Sequence, residues 1–186
     1  MRLRTIWEDK ALFEELLHVR HSAQLEILEE YLEDAGYLTQ LLARSETFPM
    51  NVLLAALKPD RNERERLLHI SFIPIAEDEL EHIQLLQLYT TVNVEEGADT
   101  RSADVLALLN AVNCRLAIGQ FAVKDDGEIH YRYVHCPSVG TAEPNTPGPF
   151  LEIVTLFVFM LDMFAALIAE IAEGRLTLNQ ALAALA

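Results

Sequence analysis

The residues able to do chemistry are few and scattered. His18 and His21 stand three apart in a helical stretch, a spacing that can set two imidazoles on one metal ion, yet no third ligand follows at motif spacing. Both read as exposed helical histidines. His130, His135 and Cys136 fall on one strand, and a Cys/His pair makes a nucleophile with its base when the two side chains touch. Alternation sends His135 and Cys136 to opposite faces, and His130 and Cys136, on the same face, stand about 20 Å apart along a strand. Asp125 and Asp126 could pair as carboxylates, but ahead of Gly127 their better use is to bond the backbone of a turn. The seven glycines form neither GxGxxG nor GxxxxGK[ST], and no GxSxG or HExxH occurs. The expectation is therefore a non-enzyme, with no catalytic, cofactor-binding or metal site.

The elements that would position such residues must come from a chain of 186 amino acids, long enough for one core to bury roughly 70% of the unfolded surface. A hydrophobic fraction of 51% with 23% charged residues excludes disorder. Against 14 Lys and Arg stand 29 Asp and Glu, a formal charge of -15. Such a field repels phosphate backbones and anionic lipid headgroups, so neither nucleic acid nor a membrane surface is expected as a partner. Two cysteines, Cys114 and Cys136, make no CxxC pair, which suits a reducing compartment. From Met1 to Lys10 the sequence turns acidic before any apolar run could act as a secretory leader, and a cytoplasmic location is expected.

Ile153 to Ala169 is seventeen residues with Asp162 as its only charge, at the short limit for crossing a bilayer. No Lys or Arg lies between Phe150 and Gly174 to anchor a span, and a central Asp costs about 2.5–3.5 kcal/mol on insertion. Glu152, Thr155, Asp162, Glu170 and Glu173 share an arc of roughly 80° at helical period, interrupted by Phe159 and Ala166, the pattern of a helix sunk in a soluble core.

Along the chain, Trp7 to Ala35 reads as helical, with Leu12, Phe13, Leu16, Leu17, Leu25, Leu28, Tyr31 and Leu32 on a buried face and Gly36 as its stop. Either one bent helix or two, the second capped by Ser22, fits. Met50–Leu57, Leu67–Ile75 and Ile83–Val94 are three strands of an antiparallel meander, and Thr39–Arg44 is a further edge strand or a helix end. Ser102 caps a helix over Ala103–Asn113 whose apolar face is Val105, Leu108, Leu109 and Val112. Leu116–Val123 and Ile129–Val134 flank an Asp-Gly turn as a hairpin. Pro137 to Pro149, with four prolines, is a loop, and a long helix from about Phe150 to Ala172 ends at Gly174. Thr177 opens a capping box for a last helix, Leu178–Leu185. The fold class is α+β: an antiparallel sheet of five or six strands packed against helices, in one domain of residues 1–186 with an N-terminal helical extension (1–22) and a short C-terminal helix (177–186).

The order helix, three strands, helix, two strands, long helix resembles the type III secretion chaperone-like fold, which includes the YbjN-like bacterial proteins. The residues that carry the resemblance are Leu106-Ala107-Leu108-Leu109-Asn110-Ala111-Val112-Asn113, then Gly119-Gln120-Phe121-Ala122-Val123 and Asp125-Asp126-Gly127-Glu128-Ile129. They match a leucine-rich helix ending near Asn, a Gly-x-Phe strand and a Gly turn. The resemblance implies a small acidic cytoplasmic protein, usually a homodimer, chaperone-like or regulatory, that grips a partner chain on apolar surface. Beyond it, the chain adds its N-terminal helical segment, its Pro-rich loop and its C-terminal helix.

Apart from the resemblance, an apolar arc of about three-quarters of the long helix exceeds what one sheet face covers. Either the first helices or a second copy of the chain must cover the rest. Val105, Leu108, Leu109 and Val112, with Phe157, Met160 and Phe164 of the long helix, are the candidate interface for a homodimer or for a protein or peptide partner. A different class of function remains as the alternative: a small-molecule sensor or enzyme using a pocket between the sheet and the last long helix, with His69 or His130 inside.

Overall fold

A computed structural model describes residues 3–45, 49–74, 83–137 and 147–185, with side chains from Glu15 onward. It is an α+β fold with an open antiparallel sheet of six strands and four helices. The elements run α1 (Leu3–Asp34), β1 (Thr39–Leu42), β2 (Val52–Leu57), β3 (Arg66–Phe72), β4 (Leu86–Thr91), α2 (Ala103–Asn113), β5 (Gln120–Val123), β6 (Ile129–His135), α3 (Pro147–Ala172) and α4 (Leu178–Ala184). Strand order in the sheet is β1-β2-β3-β4-β6-β5. The second strand of the hairpin thus lies beside the meander, and β5 becomes the far edge.

Of the two readings of the first helical stretch, the single helix holds: α1 is continuous through Ser22. It stops as its sequence requires. Gly36 takes a φ of 89°, the Tyr37 N–H donates to the Leu32 carbonyl at 2.9 Å, and the Gly36 N–H donates to the Glu33 carbonyl at 2.9 Å. These are the two bonds of a Schellman motif. Gly174 ends α3 in the same way, with Arg175 N–H on the Glu170 carbonyl and Gly174 N–H on that of Ile171. On α1 the buried side chains are Leu17, His21, Leu25 and Leu32, while Leu16 is exposed; Leu12 and Phe13 lie outside the described side chains.

Thr39–Leu42 is a strand, not a helix end, and pairs with Val52–Ala55 of β2. The other strands are shorter than the apolar runs that announced them, except β6, which runs one residue further, to His135. Pro74, which has no N–H for a ladder, follows β3 closely, and Ile75 lies outside the described residues. Gly119, at a φ of 70°, turns the chain immediately before β5 and keeps Leu116–Ile118 out of it. A Cβ at Gly119 would come within 2.8 Å of the Tyr131 ring and 2.9 Å of the Arg132 carbonyl oxygen, so the backbone here needs glycine on two counts. The Pro-rich loop is also shorter than expected, because α3 begins at Pro147 and includes Pro149; both prolines fall in the first turn, whose N–H groups have no helical acceptor.

The chain divides into two compact units: Met1–Ala55, His69–Gln87 and His135–Pro147 form the first, Ala56–Leu68, Leu88–Val134 and Gly148–Ala186 the second. The core of the second unit is a run of stacked rings. Phe121 and Tyr131 face each other across β5 and β6 with centroids 4.5 Å apart, and Tyr131 stacks in turn on Phe157 of α3 at 4.5 Å. The Tyr131 hydroxyl donates to the Ile118 carbonyl at 2.6 Å, which satisfies the one polar atom of a fully buried ring. Burial pushes its pKa up.

Candidate functional site

His21 corrects the expectation of two exposed histidines. Only 6% of it is exposed, and its ring stacks on Phe72 at 4.6 Å with 18° between planes. Burial is the main cause that lowers its pKa to about 4, and Arg20 and His18 add to it. The signal was present in the sequence, since His21 continues the row Leu17, Leu25, Leu32 along the buried side of α1. His18 is half-buried, and its carbonyl accepts a bond from Asn51 Nδ2 at 3.2 Å. Among the described residues no group of three His, Cys, Asp or Glu side chains is placed to hold a metal ion.

On the hairpin, His130 is half-buried beside Tyr89, ring centroids 5.2 Å apart, and its buried Nδ1 has no hydrogen-bond partner among the described residues. Burial lowers its pKa, Lys124 lowers it further, and Glu128 works the other way. The Tyr89 hydroxyl donates to a Glu128 carboxylate oxygen, which also lies 2.5 Å from Lys124 Nζ. Burial tends to raise the Glu128 carboxyl, but its bonds from Lys124 and Tyr89 outweigh that and hold it low. This cluster ties the hairpin loop to β4. Asp126 bonds the Glu128 backbone N–H at 3.0 Å, the turn role its position suggested. Cys136 lies past the end of β6, and both it and Cys114 are exposed free thiols.

The seven residues expected at an interface, Val105, Leu108, Leu109, Val112, Phe157, Met160 and Phe164, are all between 0% and 7% exposed within the single chain. They are core, and they have no side-chain surface to give a partner. Their helical period was read correctly, but the face it defines turns inward on each helix. Exposed on α3 with Glu152, Thr155 and Asp162 are Phe159, at 56%, and Met163, at 50%, one turn apart. Leu151, Glu152, Thr155 and Leu156 extend this row toward the start of the helix around a shallow depression.

A pocket between the sheet and the long helix was the alternative expectation, with His69 or His130 inside. In the second unit a cleft of about 370 Å³ opens between the β2–β3 connection, the end of β4 and α3, and its lining is one the sequence did not announce. Lys58, Arg61, Arg64, Arg66 and Arg175 line it, together with Asp60, Asp162 and Glu170. Five of the 14 cations of an acidic chain therefore meet at one place. Arg66 is buried at the start of β3; its Nε donates to the Lys58 carbonyl at 2.8 Å and its Nη1 to Asp162 at 2.7 Å. Arg64 Nε donates to Asp60 at 2.7 Å, and Arg175 pairs with Glu95 at 2.8 Å and with Glu173.

Local chemistry shapes the rim. One Asp60 oxygen accepts the N–H groups of Asn62 at 2.8 Å and Arg64 at 3.0 Å, an Asx arrangement that folds 60–64 into a tight loop. Burial tends to raise the Asp60 carboxyl; the bonds from Arg64 and Asn62 together prevail and lower it. Glu63 closes the loop at a φ of 60°, the position Gly127 fills in the other hairpin. Ala165, Ala166 and Ala169 of α3 leave the room on the facing wall. Neither His69 nor His130 is among the lining residues.

No model of a known protein family matches the chain, and comparison with curated proteins finds no match. The functional reading rests on the geometry itself.

Proposed function

We propose that the chain is a non-enzymatic protein-binding module, chaperone-like or regulatory in kind, that acts as a homodimer through the outward face of α3. The observation that carries this reading is the incomplete burial of an apolar helix. Among the described residues α3 is the one helix long and apolar enough to cross a membrane, yet 33% of its most apolar stretch is buried. Phe159 and Met163 stand in water, where each Å² of apolar surface covered by a partner is worth roughly 25 cal/mol.

A lipid cover suits this helix poorly. Its inner side is occupied by Tyr131 through Phe157, and Asp162 is held by Arg66 in an ion pair, half in water. A net charge of -15 also opposes approach to an anionic bilayer. A second copy answers the geometry most simply, because a row of outward side chains on one helix can meet itself across a two-fold axis. Exposed free thiols at Cys114 and Cys136 suit a reducing, cytoplasmic setting. The resemblance over residues 106–129 points to the same class of protein.

Light scattering coupled to size exclusion tests the reading. The wild-type chain is expected to elute at twice its mass at micromolar concentration, and Phe159→Glu with Met163→Glu to elute as a folded monomer. A wild-type monomer that captures no partner chain refutes it.

A further inference from the structure

The cleft beneath the β2–β3 loop carries more information than its shape. Its charges divide into those already satisfied and those that are not. Arg64 is taken up by Asp60 and Glu173, Arg66 by Asp162, and Arg175 by Glu95 and Glu173. Lys58 and Arg61, both exposed at the rim, have no carboxylate partner among the described residues; Glu170 is the one lining carboxylate without an ion pair there. In a chain of charge -15 the lining is locally basic, with five cations against the three carboxylates of Asp60, Asp162 and Glu170.

Beneath the rim, Arg66 is fixed. With Nε on the Lys58 carbonyl and Nη1 on Asp162, its guanidinium cannot swing away, and Nη2 has no partner among the described residues. A planar group with spare donors, held in place before the ligand arrives, is what recognises an oxyanion at low entropic cost. The remaining lining is mixed. Pro59, Val92, Leu161 and the α3 alanines are apolar, and Thr91, Asn62 and Asn93 are neutral and polar. About 370 Å³ falls within the range of small-molecule sites and is far too little for a macromolecule.

We infer that this cleft binds a small organic dianion of the phosphate monoester class, its charged group between Lys58 and Arg61 above Arg66 and its organic part against the alanines of α3. Lys58 and Arg61, with the spare donor of Arg66 beneath them, outnumber the one unpaired carboxylate, Glu170, and the apolar wall distinguishes an ester from the bare ion. Polyanions are excluded by the field of the rest of the chain, which acts over a Debye length. The inference stands apart from dimerisation, since it uses the 58–66 loop and the alanines, not Phe159 and Met163.

Titration calorimetry of the full chain with phenyl phosphate at low ionic strength is the test. One saturable site per chain is expected, with a dissociation constant on the order of 0.1 mM. Lys58→Gln with Arg61→Gln, both at exposed positions, is expected to weaken it about tenfold or more, as two charge-assisted contacts require. Ala166→Leu, which fills the cleft without touching its charges, is expected to weaken it as well, and phenol is expected not to bind. Absence of saturation, equal binding of phenol, or an affinity unchanged in both variants overturns the inference.

Discussion

His21 lies against Phe72 with its ring centroid 4.6 Å away, and its burial there favours the neutral imidazole. Its pKa in the fold, about 4, is lower than the ordinary value of 6.5 that the unfolded chain restores. Stability from this site is fully present above pH 6.5; as pH falls toward 4 the unfolded chain takes up a proton that the fold refuses. The loss approaches about 1.4 kcal/mol per pH unit as an upper limit. Urea denaturation is expected to show it between pH 6.5 and 4, and to show a smaller loss over that window for His21→Phe, which keeps the stack and removes the titration. The position was legible in part. The leucine row marks the face on which His21 sits, but its aromatic neighbour is 51 residues away and no local pattern names it.

Among the elements, α2 and β5 are joined by a side chain acting as a strand. Asn113, at the end of α2, donates from Nδ2 to the Phe121 carbonyl at 3.0 Å and accepts the Phe121 N–H on Oδ1 at 2.9 Å. One amide thereby satisfies both polar groups on the outer edge of an edge strand, which would otherwise invite another chain. Asn113→Ala is expected to cost about 1–3 kcal/mol, measured by urea unfolding. Asn113→Asp keeps the acceptor but not the donor and should recover only part of it. The caps of the neighbouring helices were readable, because each is local. Ser102 accepts the Val105 N–H, and Thr177 with Gln180 forms the capping box. Asn113 was not, because its bond depends on where β5 comes to lie.

Over the whole molecule, a formal charge of -15 sets the terms of any assembly. Two copies that meet through apolar side chains such as Phe159 and Met163 do so against their mutual repulsion. Salt screens that repulsion, with a Debye length of about 30 Å at 0.01 M and about 8 Å at 0.15 M. The proposed dimer is therefore expected to tighten between these salt concentrations, as followed by sedimentation equilibrium, whereas an interface held by ion pairs would loosen. Phenyl phosphate in the cleft is expected to respond in the opposite sense, weakening with salt, because its attraction is between unlike charges.

What the sequence determined by itself is what neighbours in the chain decide: the helices with their caps and glycine stops, the two hairpin loops, the strands to within a few residues, and the α+β class. Apolar period told which side of each helix is buried, and the inward turn of Val105, Leu108, Leu109 and Val112 follows from it once that face is assigned to the core of the single chain. Tertiary structure alone decided that β6 enters between β4 and β5, that Phe72 stacks on His21, and that Met163 is left outside. It also assembled Lys58, Arg61 and Arg66 with the alanines of α3 about a hundred residues later. A cap or a turn is stabilised by groups three or four residues apart, whose spacing is visible in the sequence. A cleft is made by segments that meet only after the core has formed, and its charges carry no pattern until then.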